Sequence, residues 1–392
     1  MNDPTRSCDV LVIGGGAAGL FTALTAGRRG RAVVVLDHSP ALGRKILISG
    51  GGRCNFTNLG AGPEHYLSAN PHFCKSALAR YSPQDFLALV ERHGIAWHEK
   101  KLGQLFCDGS AKQIVKLLVD ECEAAGVTIV TGCAVAAVER DQDFRVASSR
   151  GDFRAPRLVL ATGGLSIPTI GATDFGYRLA AQFGLAVVPT APALVPFTLP
   201  GSWGSAELSG VSADAEVRCG DGAFRENLLF THAGLSGPAI LQISSYWHPG
   251  EQVIIDLAPG RDLAAELAAA KAAGAKALVS TFLSEQLPKR LVQRWLAQGG
   301  DRPLNQLAAR ELAAIAASFH AWELVPAGTE GYRKAEVTRG GIDTRELSSQ
   351  TMEARRVPGL HCVGEVVDVT GWLGGYNFQW AWASGHAAGS AV

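Results

Sequence analysis

VLVIGGGAAGL, residues 10–20, is the stretch whose reading decides the fold. Val10, Leu11, Val12 and Ile13 run directly into a glycine cluster, and an alanine-rich stretch continues to about Gly27. The first part reads as a buried strand and the second as the start of a helix. Gly14-x-Gly16-x-x-Gly19 has the spacing of a dinucleotide turn. In such a turn Gly14 permits the sharp bend, Gly16 lets the backbone approach a diphosphate, and Gly19 brings helix close to strand. The free N–H groups at the helix start, Ala18 among them, favour an anion. AVVVLD (32–37) is a second buried strand, and it ends in Asp37, where a carboxylate can accept hydrogen bonds from ribose hydroxyls. Strand, helix and strand in this order make a βαβ unit, which implies a parallel sheet.

A second glycine-rich stretch follows at once. GRKILISGGGRCNFTN (43–58) reads as a loop beside the bound dinucleotide, at the C-terminal edge of the sheet. Gly50, Gly51 and Gly52 can present successive N–H groups to phosphate or flavin oxygens, and Arg44, Lys45 and Arg53 can add charge. Cys54 reads as a small buried thiol, since no partner cysteine is spaced to exchange electrons with it.

Helices are expected at about 83–93 and 111–125, from apolar residues at helical spacing. Short strands are expected near 127–131, 134–139 and 144–148. RLVLATGG (157–164) is another buried strand, and its end, Ala161-Thr162-Gly163, returns the chain beneath the dinucleotide. GEVVDVTGWLGGYNFQWAWASG (364–385) supplies Glu365 or Asp368 for ribityl hydroxyls. It also supplies a glycine loop, Gly371, Gly374 and Gly375, that opens a last helix. The N–H groups of that helix would stabilise negative charge on a reduced flavin ring.

The character changes after about residue 190, at the proline-rich VVPTAPALVPFTLPG. The expected organisation is therefore a discontinuous Rossmann-like domain, 1–190 and 330–392. Residues 191–329 are inserted in it, β-rich over 191–260 and helical over 261–329. The fold class is α/β.

Lys+Arg and Asp+Glu both number 36 in the 392 residues. That balance argues against nucleic acid or a membrane surface as partner and leaves a small molecule as the expected substrate. The eight cysteines include no Cys-x-x-Cys, and the ten histidines show no metal spacing, so no metal is expected. Scattered thiols without an export signal point to a cytoplasmic protein. Ser236 is not in a GxSxG elbow, which argues against hydrolysis. No second GxGxxG follows a strand, so no separate nicotinamide domain is expected, although NAD(P)H stands as a candidate electron donor. Tyr376, His232 and Arg339 are the candidate catalytic side chains.

VIGGGAAGL, GRKILISGGGRCNFTN, LATGGLSIPTIGATDFGY, FTHAGLSGPAILQISS, EVTRGGI and GEVVDVTGWLGGYNFQWAWASG occur in this order across nearly the whole chain. Together they resemble the HI0933-like (YhiN-like) flavoproteins, among them proteins described as aminoacetone oxidase-like and a bile-acid reductase. The resemblance implies FAD and a domain built from both chain ends, interrupted by a β-barrel-like part and a helical part. It implies that Gly14, Gly16, Gly19 and Asp37 hold the ADP half. Val135 would present its backbone to adenine, and Lys45, Gly51, Gly52, Arg53 and Cys54 would lie along the cofactor. Gly364, Glu365, Gly375, Tyr376 and Asn377 would lie near the ribityl chain and ring. The chain departs from the family at LFCDGSAK (105–112) and at Arg339, on the expected substrate side. The expected activity is hydride transfer at the flavin N5 to or from an amine, imine or enone. A flavin-dependent RNA-modifying protein and an FAD-binding protein without turnover are the alternatives.

Overall fold

The computed structural model describes residues 5–200, 205–297 and 299–392. Its centre is a five-stranded parallel sheet in the order Leu360–Cys362, Arg157–Leu160, Val10–Ile13, Val33–Leu36, Thr128–Val130. The two glycine-flanked apolar runs lie side by side, with Val10 opposite Val33 and Ile13 opposite Leu36. Val10, Leu11 and Val12 are fully enclosed, as strands covered on both faces must be. The final strand joins the far side of Arg157–Leu160, so the last part of the chain completes the sheet begun by the first.

The first helix, Ala17–Gly27, packs against the last, Tyr376–Gly389. Small residues allow this approach: a Cβ on Gly385 would stand 2.8 Å from the Ala18 carbonyl oxygen, and one on Gly389 2.6 Å from the Thr25 Cβ. Trp382 anchors the last helix, stacked on Phe86 at 4.2 Å and donating its indole N–H to the Phe56 carbonyl at 2.8 Å. Two smaller sheets flank the core. One joins Arg6–Ser7, Phe153–Ala155, Phe144–Ser148 and Val135–Arg140; the other joins Asn55–Asn58, Gln104–Cys107 and Trp97–Glu99. The expected loop through Asn58 is therefore shorter than the glycine content suggests. Asn55–Asn58, with Phe56 and Thr57 buried, is a strand.

The described residues form two compact units. One runs through Ala191 and resumes at Val337; the other is Pro192–Glu336. The second unit is built on a seven-stranded sheet with every pair antiparallel. Its order is Trp322–Leu324, Val253–Asp256, Ser212–Cys219, Gly222–Phe230, Gly234–Ser236, Phe197–Thr198, Gly328–Thr329. Between its strands it carries the helices Pro238–Ser244, Leu263–Ala272, Val279–Leu283, Lys289–Leu296 and Ala309–His320. Among the described residues no helix is long and apolar enough to cross a membrane.

Candidate functional site

The first strand ends in Gly14, whose φ of +113° suits glycine; a Cβ there would lie 2.3 Å from the Ala161 carbonyl oxygen. A Cβ on Gly19 would come 1.9 Å from the Gly14 carbonyl oxygen, so the helix sits directly on the turn. Gly16 is different. It caps the helix without a side-chain hydrogen bond, and nothing lies within 4 Å of its would-be Cβ. The N–H groups of the first turn thus open onto free space. Asp37 fixes the turn from the next strand. Its carboxylate accepts the Gly15 N–H at 2.6 Å and the Ser39 N–H at 2.7 Å. Its own carbonyl accepts the Cys133 N–H at 2.8 Å, which ties in the segment leading to half-buried Val135.

The second glycine stretch opens with a short helix, Arg44–Ile48. Gly50, Gly51 and Gly52 follow with φ of +56°, +67° and +84°. A Cβ on Gly50 would meet the Phe106 ring at 2.8 Å, whereas Gly51 and Gly52 face open space. The Arg53 side chain is exposed and has no hydrogen-bond or ion-pair partner among the described residues. Cys54 is enclosed completely, in a left-handed conformation, and burial pushes its thiol far above the ordinary value. The neighbouring strand sends the Cys107 N–H to the Arg53 carbonyl at 3.0 Å. Cys107, distant in sequence, thereby lies next to Cys54. It too is buried, its thiol pushed up to about 11 by burial.

Lys45 reaches away from that loop. Its ammonium lies 2.5 Å from the Glu365 carboxylate and 2.6 Å from the Ser166 hydroxyl. Glu365 also accepts the Thr338 N–H at 2.9 Å and the Ser166 O–H at 3.1 Å. Thr338 in turn accepts the Leu165 N–H at 2.8 Å. Four segments far apart in sequence meet in one polar cluster, and spacing alone does not show Ser166 and Thr338 as members. Gly164 makes the cluster possible, since a Cβ there would strike the Thr338 hydroxyl at 2.5 Å. The next residue after Ser166, Ile167, holds φ of +56°, a conformation that a β-branched residue enters only under strain. Ala161 is buried, Gly163 is left-handed at +72°, and the Thr162 hydroxyl is buried without a partner among the described residues.

Gly364 stands where a Cβ would reach the Ala18 methyl at 2.7 Å. Gly374 and Gly375 hold φ of +113° and +96° before the last helix, and a Cβ on Gly375 would lie 2.4 Å from the Thr57 carbonyl oxygen. Tyr376 is buried; its ring packs on His65 at 4.9 Å, and its carbonyl accepts the Tyr66 hydroxyl at 2.9 Å. The Asn377 amide is engaged internally with Gly371 N–H and O at 2.8 Å each, so it shapes the loop. Asp368, weighed as a ribityl partner, accepts the Ala69 N–H at 2.8 Å, and burial raises its carboxyl. Arg339 lies close enough to offset part of that rise. His232 belongs to the inserted unit, exposed in the turn where the Thr231 N–H meets the Gly234 carbonyl at 2.8 Å.

These features fit a dinucleotide. Gly16, Gly51 and Gly52 leave open space beside the backbone, and the Thr162 hydroxyl is buried without a partner among the described residues. Among the described residues no group of three His, Cys, Asp or Glu side chains could hold a metal ion.

Residues 8–391 match the family described as HI0933-like protein Rossmann domain. The chain is 55% identical to a ribosomal RNA dihydrouridine synthase of Escherichia coli, covering 97% of this chain and 96% of that protein. It is 49% identical to a ribosomal RNA dihydrouridine synthase of Haemophilus influenzae, covering 97% and 98%. A quinol-fumarate reductase structure shares the fold, with a TM-score of 0.52 at 16% identity over 99% of this chain and 71% of that one. The expectation that nucleic acid is no partner is corrected by these relatives, whose names specify RNA. Overall neutrality misled because net charge reports the sum of charges and not their placement. The chain belongs to the HI0933-like Rossmann-domain family of FAD-dependent oxidoreductases.

Proposed function

We propose that this chain is a ribosomal RNA dihydrouridine synthase, reducing the C5–C6 double bond of a uridine base with electrons delivered from NADH or NADPH. End-to-end similarity to two proteins of that name, at 55% and 49% identity, carries the reading. The amine, imine or enone expected from the sequence gives way to a uracil ring, itself an enone-like acceptor. Such a substrate is met in the cytoplasm.

Bound FAD would supply a hydride donor at its N5. We assign the diphosphate to the Gly14–Gly19 turn with Ala18, and the adenosine ribose and adenine to Asp37 and the Val135 backbone. Lys45, Gly51, Gly52, Arg53 and the Cys54 backbone would lie along the cofactor. The Ala161-Thr162-Gly163 turn, Gly364 and Glu365 would hold its ribityl chain. Gly374, Gly375, Tyr376 and Asn377 would meet the ring, where the open end of the last helix offers N–H groups to negative charge. Tyr376 and Arg339 are the side chains we place toward the base.

The test is direct. Unmodified ribosomal RNA made by in vitro transcription is incubated anaerobically with the FAD-loaded protein and NADH or NADPH, then digested to nucleosides. Dihydrouridine detected by mass spectrometry with one or both nucleotides is the expected result. Its absence with both, under conditions in which the flavin is reduced, would overturn the reading.

A further inference from the structure

Charge is segregated within the inserted unit. Residues 192–262 hold three Lys/Arg against eight Asp/Glu, whereas residues 271–310 hold seven Lys/Arg against two Asp/Glu. The basic stretch covers the end of the helix Leu263–Ala272 and the elements that follow it. Its pieces are close together in space. Leu278 bridges to Pro303, the Leu304 N–H donates to the Ala277 carbonyl at 3.0 Å, and the Lys271 ammonium reaches the Leu307 carbonyl. These contacts set Lys271, Lys276, Arg302 and Arg310 around one end of the helical part. Lys289, Arg290 and Arg294 lie on the helix Lys289–Leu296.

Of the two acids in the stretch, Asp301 is engaged by its own neighbours, and Glu285 is exposed. Asp301 takes the Ser280 N–H at 2.9 Å and its hydroxyl at 2.8 Å. Glu311, next to the stretch, caps its own helix at the Ala308 N–H and pairs with Arg302. The side chains of Lys276 and Lys289 are exposed and make no hydrogen bond or ion pair among the described residues, and Arg310 is exposed at the start of the helix Ala309–His320. An excess of cations, seven Lys/Arg against two Asp/Glu, fits a polyanion, since each phosphate contact releases condensed counterions.

We infer that the helical part of the insert, through Lys276, Lys289 and Arg310, is the surface that holds the phosphate backbone of the RNA substrate; this rests on the ribosomal RNA reading above. Such contacts position RNA and carry no base specificity.

The FAD-loaded protein and its Lys276→Glu/Lys289→Glu/Arg310→Glu variant are titrated with unmodified ribosomal RNA transcript over a range of KCl concentrations. Arg145→Glu, at an exposed position of the other unit, is the control. The triple variant is expected to bind about 30-fold more weakly near 0.1 M salt, with the log Kd against log salt slope smaller by about 2 to 3. Its flavin spectrum and melting temperature should match the parent, and Arg145→Glu should bind as the parent does. A parent that modifies the transcript beside a triple variant with unchanged affinity and slope would remove the surface and leave the reading intact. A parent that neither binds nor modifies the transcript would remove both. Binding of the parent to phosphatidylglycerol vesicles but not to RNA would reassign the patch to a lipid surface and overturn the inference.

Discussion

The Lys45 ammonium meets the Glu365 carboxylate at 2.5 Å although 320 residues separate them in sequence. Their side chains are 30% and 17% exposed, so the pair is only partly screened. Glu365 also holds the Thr338 N–H and the Ser166 hydroxyl. Removing the ammonium leaves a half-buried carboxylate without its cation. Lys45→Ala is therefore expected to cost about 1–2 kcal/mol of stability, below the 3–5 kcal/mol of a fully buried pair. It should also weaken FAD binding about tenfold. Glu365→Gln keeps an acceptor for Thr338 and should lose less stability. Chemical denaturation and flavin fluorescence titration of both variants check this. Equal melting and equal FAD affinity in Lys45→Ala would show the pair to be incidental.

Gly14 and Gly16 lie two residues apart and should respond oppositely. A methyl on Gly14 collides with the Ala161 carbonyl oxygen at a φ of +113°, so Gly14→Ala is expected to lose about 3 kcal/mol or to fail to fold. Gly16 has an ordinary φ of −88° and open space around it. Gly16→Val should therefore keep the melting temperature of the FAD-free protein while losing FAD. A Gly16→Val protein that retained stoichiometric flavin would sink the assignment of the diphosphate to this turn.

The difference between these two glycines shows what the sequence could and could not carry. The turn was legible because its parts are local: strand, glycines, helix and acid fall within thirty residues, each with a steric reason for its position. Buried strands were legible because parallel sheets covered on both faces read as unbroken apolar runs. The Lys45–Glu365–Ser166–Thr338 cluster was not, because it joins four segments whose approach is set by the whole sheet. Cys107 was invisible beside Cys54 for the same reason, as only the ladder between Asn55–Asn58 and Gln104–Cys107 brings them together. RNA was misjudged because neutrality over 392 residues conceals opposite charges in adjacent stretches.

Acid should destabilise the fold from an unusually mild pH. His361 is 2% exposed in an edge strand of the parallel sheet, where its Nδ1–H donates to the Thr351 carbonyl at 2.9 Å. Burial holds its imidazole below the ordinary value, and the half-buried His386 is lowered for the same reason. The unfolded chain then binds protons that the folded chain refuses. Stability is full above the unfolded imidazole value of about 6.5 and is lost as pH falls from there through the folded values. The buried carboxylates of Asp343 and Glu346, lowered by hydrogen bonds from Arg345 and Arg356, add a further loss only in the carboxylate range. The measurement is melting temperature against pH for the parent and for His361→Asn/His386→Asn. The double variant should be less stable at pH 7.5 but flatter between pH 6.5 and 5.5. An equal slope in both proteins would remove the two histidines from the account.

Reduction of a uracil ring requires a proton at C5 as well as a hydride at C6, and a thiol is an obvious donor to consider. The structure argues against any cysteine here. All eight are free thiols and seven are buried; Cys54, the one beside the glycine loop, has no exposed surface. Burial raises Cys54, Cys107 and Cys362 alike, which opposes the thiolate a returning cycle would pass through. The native protein should therefore react with Ellman's reagent over hours at pH 8, and rapidly only after denaturation. Cys54→Ser should retain bound FAD and make dihydrouridine within about threefold of the parent rate. Cys54→Ala should do the same with a modest loss of stability, since φ of +50° is retained by another residue with a Cβ. A fall in turnover of a hundredfold or more in both variants, with flavin content unchanged, would make Cys54 the proton donor. It would also require the loop to open far enough to expose a thiol that the folded chain encloses.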